Sequence, residues 1–314
     1  MLEIGMQTKN IIEDENPLEG FLLLKEAGFS CADFSLNDYL NNKDLYKGNV
    51  NDFFDKSIQE LQAFFAVHKT AAVQAGIRIH QMHMPYPILV PTGGPEINDY
   101  LWNVVAPKSL QVCKFFDCKY IVVHGFKLER YLGSEKLEWE KTEEFLRFLA
   151  PMAKELGITL CIENLYNSLG NHMVEGPCCD ARKTAERIDR LNKEFGAEVL
   201  GFCLDVGHAN LVGLDMCELI HIMGSRLKVL HIHDNDGVKD LHQIPYTFTR
   251  TRDNKPSTDW EGFIRGLREI DYNGVLNFEA SPAVSAFPKE LQRNVLYFLA
   301  KIGEDFSNKI NAVE

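Results

Sequence analysis

The stretch LKVLHIHDNDG, Leu227–Gly237, begins as an apolar run and then places His231, His233, Asp234 and Asp236 within six positions. Imidazoles and carboxylates at the end of a core strand take up protons, bond a polar ligand or hold a metal; buried and unpaired, they are costly. Similar groups end other apolar runs. They are His80 and His83 in HQMHMPY, His124 in VVHGF, Glu163 in CIEN, Asp205 and His208 in LDVGH, and Glu279 in NFEAS. One histidine alone is explained by a hydrogen bond, and one glutamate alone by a salt bridge at a rim. Successive strand ends delivering Asp, Glu and His to one rim need a shared partner, and a divalent cation is the economical one. Two Glu, one Asp and one His make an oxygen-rich set with one imidazole, which suits one Mn²⁺, Mg²⁺ or Co²⁺ ion, with Mn²⁺ first and Zn²⁺ also compatible. No thiolate ligand is evident at these strand ends, which argues against a structural zinc site.

These residues need eight elements to position them. Candidate strands start at Leu2, Ser30, Ile77, Tyr120, Ile158, Leu200, Leu227 and Gly274, most of them nearly continuous in apolar residues, as in parallel strands covered on both faces. Amphipathic segments alternate with them. NPLEGFLLLKEAG carries Pro17 near its start and Gly28 past its end, the usual helix punctuation. A longer helix is expected over 52–75, with Gly76 as its stop. Eight strands alternating with helices predict an α/β chain folded as a single (β/α)8 TIM barrel over residues 1–314, whose polar strand ends share the C-terminal mouth. The Pro- and Gly-rich HMPYPILVPTGGPEIN is long enough to cover that mouth, with Met84, Tyr86 and Ile88 as a candidate apolar wall. Trp102 and Trp139 read as outer core, whereas Trp260, Phe126 and Tyr166 are candidates to stack on a ligand.

A net charge of −12 argues against nucleic acid, whose phosphates demand Lys and Arg. The eight cysteines show neither a disulfide framework nor a CxxC pair, and the start lacks a basic and apolar leader. No apolar run approaches membrane-spanning length. A reduced, cytoplasmic protein without membrane or nucleic-acid partners is expected.

The motifs IEN, LDxGH, HIHDNDG and the terminal FE, in this order, resemble those of the xylose isomerase-like barrel superfamily, in particular its sugar phosphate isomerase/epimerase group. That group includes ketose 3-epimerases, hydroxypyruvate isomerase and inosose dehydratase. The resemblance covers essentially the whole chain. It implies one metal held by Glu163, Asp205, either His231 or His233, and Glu279. His231 is preferred because HIHD then aligns with the group's pattern without a gap. It further implies that Glu163 and Glu279 act as acid and base on a keto sugar or polyol derivative, removing the proton alpha to a carbonyl and returning it through an enediolate. His208 matches the group's substrate-binding histidine and is a candidate proton shuttle. His83, Tyr86, His124, Trp260 and Arg252 complete the expected substrate contacts, and a homodimer or homotetramer is common in the group.

The chain departs from the pattern in two places. NDGVKD lacks the Arg that ketose 3-epimerases carry after the seventh strand, and IPYTFTRTRDNKPSTDW keeps Asp259 and Trp260 but not the Gly-Glu-Gly. Arg250, Arg252 and Lys255 in that loop are candidates for a substrate phosphate or carboxylate, or for a solvated basic loop. Two rivals follow from the same resemblance. An inosose dehydratase-like lyase shares the alpha-proton abstraction. Endonuclease IV, with three zinc ions, has counterparts here in His83, Tyr86, His124, His208, Asp240 and His242, although its AGQG after the fifth-strand Glu is replaced by ENLYNSLG.

Overall fold

All eight apolar runs form parallel strands. The computed structural model describes residues 1–128, 133–249 and 254–312. The barrel strands are β1 (Glu3–Gln7), β2 (Cys31–Ser35), β3 (Arg78–His83), β4 (Tyr120–His124), β5 (Thr159–Glu163), β8 (Leu200–Asp205), β9 (Leu227–His231) and β10 (Val275–Phe278). A small antiparallel hairpin, β6 (Tyr166–Leu169) and β7 (His172–Glu175), follows β5. The sheet order is β10-β1-β2-β3-β4-β5-β8-β9. Two further bonds, Ile232 N–H to Asn277 O at 2.9 Å and Glu279 N–H to Ile232 O at 3.0 Å, join β9 to β10. The expected TIM barrel is therefore the observed fold.

Helices cover the outside where the sequence punctuates them. The helix Pro17–Ala27 has proline in its first turn and ends at Gly28, whose φ of 111° is a left-handed cap. The second expected helix starts later than its apolar spacing suggests. Ser57 and Glu60 form a reciprocal capping box, so the helix is Ile58–Ala75, and Phe53–Asp55 is a separate 3₁₀ turn. Among the described residues, no helix is long and apolar enough to cross a membrane. All eight cysteines are buried and unbridged.

The barrel interior is layered by the two-residue period of its strands. Val122, Cys161, Cys203 and Val229, from four adjacent strands, pack into a small apolar floor at the barrel centre. Two residues further along the same strands stand His124, Glu163, Asp205 and His231. Strand register then pairs them laterally, His124 with Glu163 and Asp205 with His231.

Candidate active site and metal centre

Glu163 is the hub of the site. It is 1% exposed, yet its Oε2 lies 3.0 Å from His124 Nε2 and 3.5 Å from His83 Nε2, and its Oε1 lies 3.3 Å from His208 Nδ1 and 3.5 Å from His231 Nδ1. Burial pushes the carboxyl upward, but the His124 and His231 imidazoles outweigh it and hold Glu163 well below the usual carboxylate range. Across the site, Glu279 is held at about 2, the His231 and His242 imidazoles overcoming burial. Gln7 Nε2 donates to Glu279 Oε1 at 2.6 Å and Ser281 Oγ donates to Gln7 Oε1, which fixes the carboxylate plane.

The two candidate histidines, His231 at the end of β9 and His233 two residues beyond it, stand at different levels. His231 ends the strand at the level of Asp205, and its Nδ1 faces Glu279 Oε2 at 3.2 Å, Glu163 Oε1 at 3.5 Å and Asp205 Oδ2 at 4.0 Å. Ligand atoms of Glu163, Asp205, His231 and Glu279 all lie within 4.8 Å of one another. His233 lies one pleat higher. Its Nε2 bonds Asp205 at 3.1 and 3.2 Å, and its ring stacks on His242 with centroids 4.0 Å apart. That contact ties His233 to a member of the four-residue group from outside it. A second grouping, His233, His242 and Glu279, does bring it within 4.8 Å of two other potential ligands.

The residues present fit a divalent cation. His231 Nδ1 is buried without a hydrogen bond of acceptable geometry while it faces the carboxylates of Glu279, Glu163 and Asp205, and Glu163 Oε2, equally unsatisfied, faces His124 and His83. His231 Nε2 lies 3.1 Å from Asp33 Oδ2 on β2, the carboxylate support that metal-binding imidazoles commonly have. Gln81 donates to the same Asp33 oxygen at 3.2 Å. Burial disfavours the charged form of His231, but Cys203, Glu279 and Glu163 outweigh it and push its pKa well above the ordinary value. A cation bound at His231 Nδ1 would compete with a proton there. Affinity for such a cation is expected to rise with pH. Calorimetric titration in two buffers of different ionisation enthalpy should show net proton release at neutral pH.

Three other histidines are locked by backbone carbonyls. Nδ1 of His83 donates to Met84 O at 2.8 Å, that of His208 to Asn164 O at 2.9 Å, and that of His242 to Glu279 O at 2.8 Å. In each, Nε2 is left to face a carboxylate. His208 and His242 converge on Asp240 Oδ2 at 3.4 and 3.2 Å, and Asp240 Oδ1 is buried without a hydrogen bond, 3.8 Å from His233 Nε2. Burial alone would raise Asp240, but His208 and His242 depress it strongly. His242 is raised to about 9 by Glu279 and Asp240 against its burial, whereas His124 falls to about 4 because burial outweighs Glu163.

Gly207 of LDVGH has a steric reason. A Cβ there would stand 1.9 Å from His233 Cε1. Gly207→Ala must displace His233 and with it Asp205. The expected result is at least about a tenfold loss of metal affinity, the effect typical of disturbing an orienting partner, measured by chelator competition on folded protein.

The mouth above this centre is a cavity of ≈ 680 Å³ lined in part by His83, Tyr86, His124, His208, Asp240 and Glu279. Tyr86 stacks on His124 at 4.1 Å, and the loop after β3 contributes Ile88 and Leu89 to the wall. Phe126 and Tyr166 also line it, whereas Met84 is buried behind. Two expectations fail. Trp260 is not at the mouth: it opens the helix Trp260–Glu269 after the Asp259 cap and lies against Phe306 with centroids 5.4 Å apart, 2% exposed. His80 lies an odd number of residues from His83 and so faces the other side of β3, bonded to Arg78, its pKa lowered to about 4 by burial and that guanidinium. Arg250 and Arg252 lie outside the described residues, and Lys255 does not line the cavity. Asp33, Gln7 and Gln81 support the site without having been legible as parts of it.

A family model described as xylose isomerase-like TIM barrel matches residues 21–301. The chain belongs to that family. Its relatives include an uncharacterised protein of Methanocaldococcus jannaschii, 24% identical over 89% of this chain and 88% of that protein. The inosose dehydratase of Geobacillus kaustophilus is 27% identical over 55% of this chain and 53% of the dehydratase. An uncharacterised Sinorhizobium fredii protein is 32% identical, over only 29% of this chain and 26% of that protein. Among solved structures, E. coli 3-keto-D-glucoside 4-epimerase superposes with a TM-score of 0.65 at 18% identity, covering 96% of this chain and 100% of that one. D-Allulose 3-epimerase from Methylomonas sp., in complex with D-allulose, gives 0.65 at 17%, covering 98% and 96%. At those identities the family barrel shares its fold with both.

Proposed function

We propose that this family member is a divalent-metal-dependent isomerase or epimerase of a keto sugar or polyol derivative, with Mn²⁺ the preferred ion. The observation that carries it is the pair of carboxylates, Glu163 and Glu279, gathered with Asp205 and His231 and lining a cavity in the size range of small-molecule sites. A cation held by these four residues supplies Lewis acidity that polarises a substrate carbonyl and offsets charge developing on its oxygens. One glutamate takes the proton alpha to the carbonyl, and the other returns it to the opposite face or to the neighbouring atom. His208, beside Glu163 and Asp240, orients a hydroxyl or relays a proton. Tyr86, Phe126 and Tyr166 provide apolar surface for the carbon skeleton. The dehydratase likeness supports the same first step, with loss of a beta hydroxyl as an alternative ending. The direct test is incubation with a panel of ketoses and inososes in deuterated water. Deuterium entering alpha to the carbonyl supports the reading, and no exchange with any of them in metal-loaded protein removes it.

A second reading has one specific observation behind it. The carbonyl-locked histidines present Nε2 to Glu163 and Asp240, which suits more than one cation and hence phosphodiester hydrolysis of the endonuclease IV kind. Metal content separates the two. One ion per chain at the barrel fits the isomerase; three zinc ions with cleavage at abasic sites in DNA fit the nuclease.

A further inference from the structure

We infer that the outer face of the barrel carries a separate zinc site made by Cys217, His221 and Glu269. Cys217 and His221 are four residues apart on the helix Met216–Met223, so they share one face. Glu269 closes the neighbouring helix Trp260–Glu269. The helices approach closely at Gly266, where a Cβ would stand 3.0 Å from Ile220 Cβ. That approach brings Glu269 Oε2 to 2.5 Å from His221 Nε2 and 3.8 Å from Cys217 Sγ. The three ligand atoms lie within 4.8 Å of one another.

Metal bonds of about 2.0–2.3 Å to N, O and S set the ligands of a tetrahedral zinc roughly 3.3–3.7 Å apart, so the His221–Glu269 contact need open by only about 1 Å. Cys217 is 7% exposed, whereas the other two side chains are 44% and 43% exposed, which leaves a fourth position for water. Arg265 Nε donates to Cys217 Sγ at 3.4 Å, so a cationic group already occupies the place beside the sulfur. Arg265 is exposed and free to swing outward. One thiolate, one imidazole and one carboxylate favour Zn²⁺ or Co²⁺ over the Mg²⁺ and Mn²⁺ that suit the oxygen-rich barrel site. The thiol and imidazole lose any bound proton to the buffer on binding.

The test uses the full chain with its barrel site first filled with Mn²⁺. Co²⁺ is then added and the thiolate-to-cobalt charge-transfer band is followed in the near ultraviolet. The expected result is one such band, bleached by Zn²⁺, absent in Cys217→Ser and lost in the double variant His221→Ala with Glu269→Gln. Arg265→Ala should bind roughly five- to tenfold tighter, since it removes a competing charge. Zn²⁺ should also raise the melting temperature of the wild type but not of Cys217→Ser. A wild type without the band, or a band that persists in Cys217→Ser or in the double variant, overturns the site. Activity at the barrel mouth is not a readout of it, so its failure leaves the proposed function untouched.

Discussion

Glu163→Gln should cut turnover of the accepted sugar by roughly 10²–10⁴-fold, the range general acid–base catalysis supplies. The change is nearly isosteric but removes the charge on which four imidazoles depend: His83, His124, His208 and His231 all approach this carboxylate within 3.0–3.5 Å. Two effects follow and are separable. Metal content falls because one anionic ligand is lost, and this is measured on the purified variant. Alpha-proton exchange falls because the base is lost, and this is measured at saturating metal. Glu279→Gln keeps the imidazole hub and should spare more metal, while its own half of the proton transfer fails. Exchange surviving in both variants at saturating metal rules out the carboxylate pair. Loss of metal without loss of exchange would make Glu163 a ligand only.

Trp260→Ala should destabilise the protein by about 3–5 kcal/mol, the usual cost of deleting a buried large aromatic. The indole lies flat against Phe306 and edge-on to Phe263, fixing the helix Trp260–Glu269 onto the last helix, Lys289–Ile310. Its Nε1 is buried without a partner, so the ring contributes through packing alone. Chemical denaturation measures the loss. At low temperature, where the variant remains folded, metal affinity and substrate KM should stay within a fewfold of wild type. A raised KM with unchanged stability would return Trp260 to the mouth, where the sequence pattern suggested it.

The barrel is legible because its strands are apolar runs bounded by strong punctuation, such as Pro17 and Gly28 around the first helix. Residues that end those runs are legible as a site for the same reason: each is a polar exception in an apolar context. Trp260 carries no such contrast, since an aromatic after a loop is as suited to core as to ligand. His80 and His83 differ only in parity, which decides their faces but needs the strand's register to be known. Asp33 is harder still. It sits inside SCADFSL, and its role under His231 depends on a neighbour nearly two hundred residues away. A carboxylate inside an apolar strand was itself the signal, because it demands a partner. The hairpin of β6 and β7 is short and polar, without the alternation that marks a half-buried strand.

The floor of Val122, Cys161, Cys203 and Val229 lies one layer beneath the polar strand ends and is fully buried. On the proposed function, an ion held among Glu163, Asp205, His231 and Glu279 would enter from the cavity its substrate fills, which both glutamates line. Occupancy would then have an order, ion first and substrate second, with the substrate covering the ion. Stripping of the ion by chelators should then be slower with ligand present than without it. Four apolar side chains would thus lengthen residence at a centre to which they contribute no ligand.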